Sequence, residues 1–167
     1  MLDELHKLAK AINRPLKLME VCGTHTVEIF RHGIRDVIPK SITLLSGPGC
    51  PVCVTSVHDV DAAISIARNP RVILATFGDM MRVPGGEGSL LEARSEGADV
   101  RVLYSPIDAL TLAQNRPEKE VVFFATGFET TSPLIAGTIA HAEPAGTKNF
   151  TIFTAHKLDE LVRSHAA

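Results

Sequence analysis

Short apolar runs alternate with amphipathic stretches along almost the whole chain, and this alternation constrains the fold more than any other feature of the sequence. The apolar runs are bounded by turn residues, as strands are, while the stretches between them have helical spacing. Strands that alternate with helices favour an α/β fold: a doubly wound, mostly parallel, Rossmann-like sheet with helices on both faces in three layers. The predicted strands are 16–21, 42–46, 72–76, 100–104, 121–126 and 150–154, and the predicted helices are 27–33, 58–69, 90–97, 107–115 and 134–141.

Helix start signals support this interpretation. Ser89 and Glu92 have the spacing of a capping box, in which a hydroxyl and a carboxylate each bind a free backbone N–H. Ser105 and Ser132 each precede a proline, so we expect them to cap helices that begin at the proline. A further helix is expected to begin at residue 158.

The composition argues against several classes of protein. The 167 residues suit one domain, and a hydrophobic content of 45% is enough for a sizeable core. The formal net charge is -2 and there is no basic stripe, which argues against nucleic acid as a partner. No apolar run reaches the roughly 20 residues that span a bilayer, and the N-terminus lacks a secretory signal. We therefore expect a cytoplasmic protein without a membrane partner.

A cysteine and a histidine follow the first predicted strand. Gly23 allows a sharp turn directly after Cys22. A thiol at a helix N-terminus lies near free N–H groups and the positive end of the helix dipole, which favours the thiolate that binds metal or attacks a disulfide. His25 is close enough in sequence to be a second ligand or a proton carrier. A buried cysteine beside a solvated histidine, without chemical function, has the same spacing, and both interpretations stay open.

Cys50 and Cys53 form a more specific motif. Their spacing suits a small disulfide ring or two ligands of one metal ion. Three cysteines cannot all pair within one chain, and in a reducing cytoplasm this spacing indicates metal binding or redox chemistry. With Cys22 and His25, the pair would supply the four ligands of a structural zinc site. A thioredoxin-like site is disfavoured because residues 54–56 separate the motif from the next predicted helix.

Three more turns carry polar residues after predicted strands. The Gly-Phe-Glu-Thr-Thr sequence at 127–131 is typical of an anion-binding turn or of simple helix caps. Within it, Glu129 is a candidate proton donor or acceptor. Asp79 follows the third strand, and His156 and Lys157 follow the sixth. Because parallel strands end at one edge of a sheet, we expect all five turns at the same edge, where α/β proteins bind ligands.

In this order, the motifs resemble those of the HypD family of hydrogenase maturation proteins. The resemblance extends from about residue 19 to residue 158, nearly the whole chain. Three signatures carry it, and three shorter segments are also similar to the family. The signatures are Cys-Gly-Thr-His-Thr at 22–26, Gly-Pro-Gly-Cys-Pro-Val-Cys at 47–53 and Gly-Phe-Glu-Thr-Thr at 127–131; the shorter segments are 76–85, 104–106 and 155–158.

The resemblance implies a scaffold function. HypD proteins act with the small chaperone HypC as a scaffold on which the Fe(CN)2CO group of [NiFe]-hydrogenases is assembled. The cyanide is delivered by HypE, which receives a carbamoyl group from HypF. The resemblance further implies that Cys22 is an iron ligand, that His25 is a ligand or a neighbour of the iron, and that Cys50 and Cys53 are redox-active. The resemblance also implies that a further set of residues lines the same cleft. In that set, Glu129 would be catalytic, and the cofactor-binding residues would be Gly127, Phe128, Thr130, Thr131 and Asp79.

The resemblance also implies a partial chain, truncated at the C-terminus. Family members continue into a region whose cysteines hold a [4Fe-4S] cluster, but this sequence has no cysteine after Cys53. We expect residues 1–118 to form a first α/β domain and residues 119–167 to begin a second. Such a scaffold would not be a conventional enzyme. Two alternatives remain: a thiol–disulfide oxidoreductase that uses Cys50 and Cys53, and a zinc-binding domain.

Overall fold

The computed structural model describes residues 2–12 and 14–157, so the helix expected from residue 158 lies outside the described residues. The predicted α/β class is confirmed, since parallel strands alternate with helices throughout this part of the chain. The helices are α1 (Leu2–Ile12), α2 (Gly23–Arg31), α3 (Ile34–Val37), α4 (Val57–Ala67), α5 (Leu90–Ser95), α6 (Pro106–Asn115) and α7 (Ser132–Ala142). The strands are β1 (Leu16–Glu20), β2 (Ile42–Ser46), β3 (Val72–Thr76), β4 (Val100–Val102), β5 (Glu120–Ala125) and β6 (Phe150–Thr154).

The chain divides into two compact units, which meet in sequence between Cys53 and Val54. In the first unit, β1 and β2 pair in parallel, from Leu16 opposite Ile42 to Glu20 opposite Ser46. Helices α2 and α3 form the crossover between these two strands. Both strands therefore end at the same edge, which places the chain after Glu20 beside the chain after Ser46.

The second unit contains a parallel sheet in the order β4-β3-β5-β6. Every residue of β3 is buried, as expected for a central parallel strand covered on both faces. The chain leaves β3 toward β4 but leaves β5 toward β6, in the opposite direction. Because crossovers are right-handed, α5 lies on one face of the sheet and α7 on the other. The contacts agree, since α4 packs on α5 and α6 packs on α7.

Alternate side chains of the central strands fill two hydrophobic layers. On one face, Ile73 and Phe123 are fully buried together with Ala109 of α6. On the other, Phe124 stacks on Phe153 of the neighbouring strand, with ring centroids 5.0 Å apart. Asn149 ties the amino end of this sheet to the end of α6 through its side-chain amide. This packing holds the strand ends in place and so positions the turns that follow them.

One expectation about organisation differs from the structure. The five polar turns do not share one edge, because β1 and β2 form a sheet separate from the other four strands. Strand β2 does not pair with β3, because both edges of β3 are already paired, one with β4 and the other with β5. The predicted domain boundary between residues 118 and 119 stays a prediction.

Helix starts were predicted with mixed success. The capping box is present, with Ser89 and Glu92 each accepting from the other's backbone N–H. Ser105 makes no side-chain cap, and the proline after it starts the helix by its backbone geometry alone. Ser132 lies inside α7 instead of capping it. Helices α1 and α3 were not predicted, and none of the helices in the described residues has the length and hydrophobicity to cross a membrane.

Candidate functional site

Cys22 lies directly before α2, two residues after the end of β1. Its backbone is extended, with φ of -140°, and the helix begins at Gly23. The predicted helix started four residues later, at residue 27, because glycine and threonine are weak helix formers. The earlier start matters chemically, since it places the half-buried Cys22 thiol at the N-cap position.

The surroundings of Cys22 favour its thiolate. The thiol makes no capping hydrogen bond of good geometry. Nevertheless, the Thr24 N–H and hydroxyl and the His25 N–H lie close enough to lower the pKa of Cys22, and partial burial opposes them more weakly than Thr24 acts. Free N–H groups at a helix start stabilise an anion there. Cys22 is thus the cysteine best prepared to act as a nucleophile or metal ligand.

Glu20, the last residue of β1, holds this turn together. Its carboxylate accepts hydrogen bonds from the Cys22 N–H, at 3.0 Å, and from the Thr26 hydroxyl. The Thr26 hydroxyl, the Cys22 N–H and the Ser46 side chain all lower the pKa of Glu20, the Thr26 bond most strongly. The carboxylate therefore stays ionised and binds donors from the first turn of α2 and from the end of β2. Sequence interpretation missed Glu20, although its position two residues before the cysteine was a usable signal.

The loop after β2 brings Cys50 and Cys53 to the same edge. Gly47 lies so close to β1 that an added Cβ would overlap the carbonyl oxygen of Glu20. The Gly47 N–H donates to that oxygen at 2.8 Å. Gly49 has a φ of 104°, a conformation that glycine adopts readily. The loop can therefore turn tightly against β1 and present its cysteines beside Cys22.

Cys50 lies between the other two thiols. Its Sγ is 3.0 Å from that of Cys53 and accepts the Cys53 N–H at 3.4 Å. It also interacts with the Cys22 thiol. Burial raises the pKa of Cys50, and Cys53 adds to the effect. The three free cysteines therefore differ: Cys22 favours the thiolate, Cys50 favours the protonated thiol, and Cys53 is exposed.

The local structure after the cysteine pair differs from a thioredoxin site, as predicted. Residues 51–54 form a turn, and α4 begins only at Val57. Ser56 caps this helix by accepting the Asp59 N–H at 3.0 Å. Among residues 2–12 and 14–157, which include all four candidate zinc ligands, no three His, Cys, Asp or Glu side chains are arranged to hold one metal ion. His25 is exposed, and its charge lies within the electrostatic reach of Glu20.

The second unit presents a separate group of polar turns. Strands β3 and β5 are neighbours whose chains continue to opposite faces, which is the switch point where open α/β sheets bind ligands. Asp79 is exposed in the 3-10 turn after β3. After β5, Glu129 is half-buried and Thr130 exposed in a second 3-10 turn. The structure thus brings the predicted Asp79 and the 127–131 turn to one edge of the four-stranded sheet.

His156 and Thr131 join two of these turns. The His156 ring lies 3.0 Å from the Thr131 hydroxyl and 2.7 Å from the Thr154 hydroxyl. Gly127 passes so close to Thr131 that an added Cβ would overlap its hydroxyl. Thr131 and Gly127 hold the turn together, and their predicted role as ligand-binding residues stays a prediction. Sequence interpretation missed Thr154, the last residue of β6. Its position two residues before His156 was the available signal.

Comparisons with known proteins agree with the motif pattern. A protein-family model described as HypD, hydrogenase formation hypA family, matches residues 1–164. The chain is similar to the hydrogenase maturation factor HypD of Azotobacter vinelandii, with 57% identity over 146 residues. It is 50% identical to the protein of that name from Escherichia coli over 149 residues, and 49% identical to the one from Rhodobacter capsulatus over 160 residues.

These matches cover most of this chain but less than half of each relative. The aligned region is 87% of this chain and 38% of the Azotobacter vinelandii protein. The corresponding values are 89% and 40% for the Escherichia coli protein, and 93% and 42% for the Rhodobacter capsulatus protein. The chain therefore spans about two fifths of the length of these relatives.

Proposed function

Because the chain belongs to the HypD family of hydrogenase formation proteins, we propose that it acts in hydrogenase maturation as part of a scaffold that holds iron. The iron is cargo: the Fe(CN)2CO group is assembled on it and then passed on. HypC is the proposed companion in holding the iron, HypE the cyanide donor, and HypF the source of the carbamoyl group that reaches HypE. The proposed location is the cytoplasm, where these reactions would take place.

The single observation that carries the proposal is the position of Cys22 at the N-cap of α2, where neighbouring N–H groups lower the pKa of its thiol. Iron that carries cyanide and carbon monoxide is a soft, low-spin centre, and thiolate is the protein donor that suits it. The half-buried position leaves one side of the thiol accessible. Cys22 would supply one ligand while HypC supplies another, and a site shared by two proteins permits later release. His25 would be a second ligand or orient the first.

Cys50 and Cys53 would exchange electrons beside the iron. Their sulfur atoms are in contact, so oxidation would form one S–S bond within the pair, release two protons and pass two electrons to the group under assembly on the iron, which is the proposed acceptor. Reduction reverses this change and needs a dithiol or an iron–sulfur donor as the co-reactant. In full-length family members, the proposed donor is the [4Fe-4S] cluster. At the edge of the four-stranded sheet, Glu129 is the proposed proton-transfer residue, and the rest of the 127–131 turn and Asp79 are proposed binding residues.

The test is an infrared spectrum of this chain, co-expressed with HypC and purified without oxygen. We expect bands of iron-bound cyanide and carbon monoxide, together with about one iron per complex. In Cys22→Ala, both the bands and the iron should be lost, because the thiolate ligand is missing. Cys22→Ser is the matched variant, since it keeps the size of the side chain but not the soft donor. Circular dichroism of each variant establishes that the fold is retained.

Two results would overturn the scaffold proposal. One is a set of bands that is unchanged in Cys22→Ala, since the iron would then be held elsewhere. The other is a folded complex with HypC that binds no iron at all. Tightly held zinc in the chain alone, whose removal unfolds it, would favour the zinc-binding domain instead.

A thiol–disulfide oxidoreductase is the second candidate, favoured by the 3.0 Å contact between Cys50 and Cys53. It would reduce a disulfide substrate to two thiols while its own pair is oxidised to a disulfide. The turn at residues 51–54 weighs against it, because the pair does not lie at the start of a long helix. The test is whether the chain alone reduces a small aromatic disulfide. Reduction that is lost in Cys53→Ser but kept in Cys22→Ala would establish this activity.

A further inference from the structure

We propose that His156 is a positioning residue for the turn at residues 127–131, held as a neutral ring with its hydrogen on Nε2. The inference deepens the proposed function and rests on it for the purpose of the turn, which carries Glu129. The role belongs to His156 because it links the turn after β5 to the turn after β6 through hydroxyls on both sides of the ring.

Three hydrogen-bond contacts determine where the ring hydrogen lies. The Thr131 hydroxyl donates to the Phe128 carbonyl oxygen at 2.8 Å. A hydroxyl has one hydrogen, so the 3.0 Å contact between Thr131 and the ring requires the hydrogen to come from His156 Nε2. A neutral ring with hydrogen on Nε2 has a lone pair on Nδ1, which then accepts the Thr154 hydroxyl at 2.7 Å. Of the two neutral tautomers, only this one satisfies all three contacts at once.

The result is a one-way chain of hydrogen bonds that ends on the backbone of the turn. It runs from the Thr154 hydroxyl through His156 to Thr131 and then to the Phe128 carbonyl. Successive hydrogen bonds of this kind polarise and strengthen each other. This series of hydrogen bonds begins on β6 and ends in the turn after β5, so it holds that turn against the neighbouring strand.

Backbone pairing supports the same link. The Lys157 N–H donates to the Gly127 carbonyl at 2.9 Å, and Phe128 and Lys157 form a parallel bridge beyond the ends of β5 and β6. The backbone contacts fix the spacing of the two turns, and the ring fixes the Thr131 side chain between them. Gly127 leaves room for that hydroxyl, since a Cβ there would overlap it. Glu129 stands between Phe128 and Thr131, the two residues that the chain of bonds joins.

Partial burial lowers the pKa of His156, which keeps the ring neutral at physiological pH. A ring that is both neutral and bound at both nitrogens serves as a fixed donor and acceptor. Its function is therefore to hold the turn.

The test begins with the unaltered chain, with its histidines labelled with ¹⁵N, at neutral pH. The nitrogen shifts should show hydrogen on Nε2 and a lone pair on Nδ1 of His156. Two variants then separate the two ring contacts. His156→Gln places an amide N–H near the Nε2 position and keeps the bond to Thr131, whereas His156→Asn reaches only the Nδ1 position beside Thr154.

Amide hydrogen exchange at Thr131 and Lys157 provides the second measurement. Loss of one hydrogen bond should quicken exchange by roughly tenfold in His156→Asn, while His156→Gln should stay close to the unaltered chain. Hydrogen on Nδ1, equal acceleration in both variants, or no acceleration in either would overturn the proposal. If His156→Asn does not fold, the tautomer of the unaltered chain decides. No iron or partner is needed, so failure of the scaffold proposal would leave this result interpretable.

Discussion

Asn149 should be a major source of stability in the second unit, because one side chain joins three segments of the chain. Its amide nitrogen lies 2.9 Å from the Ala113 carbonyl oxygen, 3.1 Å from that of Arg116 and 2.8 Å from that of Lys119. These residues are at the end of α6 and just before β5, and Asn149 itself precedes β6. The amide therefore holds together the amino ends of the strands that carry the 127–131 turn and His156.

The size of the effect follows from the hydrogens available. The side-chain amide of Asn149 has two N–H hydrogens and can donate two full hydrogen bonds. At about 1 kcal/mol of net stability per hydrogen bond, Asn149→Ala should lower the free energy of unfolding by about 2 kcal/mol. Asn149→Asp should cost more, roughly 3 kcal/mol, because a carboxylate would face three carbonyl oxygens without a hydrogen to donate. Both values refer to the free energy of unfolding at neutral pH.

Urea denaturation, followed by circular dichroism, measures these changes. Gln114→Ala is the matched control, since Gln114 is exposed and its amide makes a single 3.3 Å bond, to Thr147; its cost should stay within about 0.5 kcal/mol. The slope of free energy against urea should be unchanged in all three variants. If Asn149→Ala cost no more than Gln114→Ala, or if Asn149→Asp were as stable as the unaltered chain, this account of the three-carbonyl contact would be refuted.

Three further outcomes are expected. Iodoacetamide at pH 7 should alkylate Cys22 faster than Cys50, because the pKa of Cys22 is lowered and that of Cys50 raised; equal rates by peptide mass mapping would contradict the difference. Gly47→Ala should lower the free energy of unfolding in urea by about 1–3 kcal/mol because its Cβ overlaps the β1 backbone. The control Gly23→Ala, with nothing within 4 Å of the new Cβ, should be close to neutral. Folding lowers the pKa of His156 below the ordinary histidine value of about 6.5. Below that pH the unfolded chain binds more protons than the folded chain, so the free energy of unfolding should fall as the pH drops. His156→Gln should show a smaller fall between pH 7.5 and pH 5 in thermal melts, and an identical fall would count against the shift.

The parts of the fold that depend on neighbours in sequence were predictable. Strands β2, β3 and β6 have the predicted bounds, and the capping box at Ser89 forms as expected. Apolar runs, turn residues and capping spacings act within a few residues, so their pattern is visible in the sequence. The motifs likewise placed Cys22, Cys50 and Cys53 after strands, and β1 and β2 do bring those cysteines to one edge.

The predictions that failed required knowledge of contacts between different segments. The start of α2 was missed because a carboxylate from the preceding strand, that of Glu20, binds the first turn of the helix. The prediction that all five polar turns share one sheet edge was wrong because it depended on strand order. Both edges of β3 pair with strands of the second unit, β4 and β5. Neither effect leaves a pattern within the segment that it changes.

The sequence by itself therefore determined the α/β class, the membership of the HypD family and the identity of the reactive side chains. The tertiary structure decided what each of them can do. Cys22 and Cys50 have the same thiol chemistry, and only the N–H groups around one and the burial of the other move their pKa values in opposite directions. His156 becomes a positioning residue only where β5 and β6 bring two hydroxyls to its ring. Composition and local periodicity specify elements, whereas pKa values and hydrogen-bond direction depend on atoms that folding brings together from distant parts of the chain.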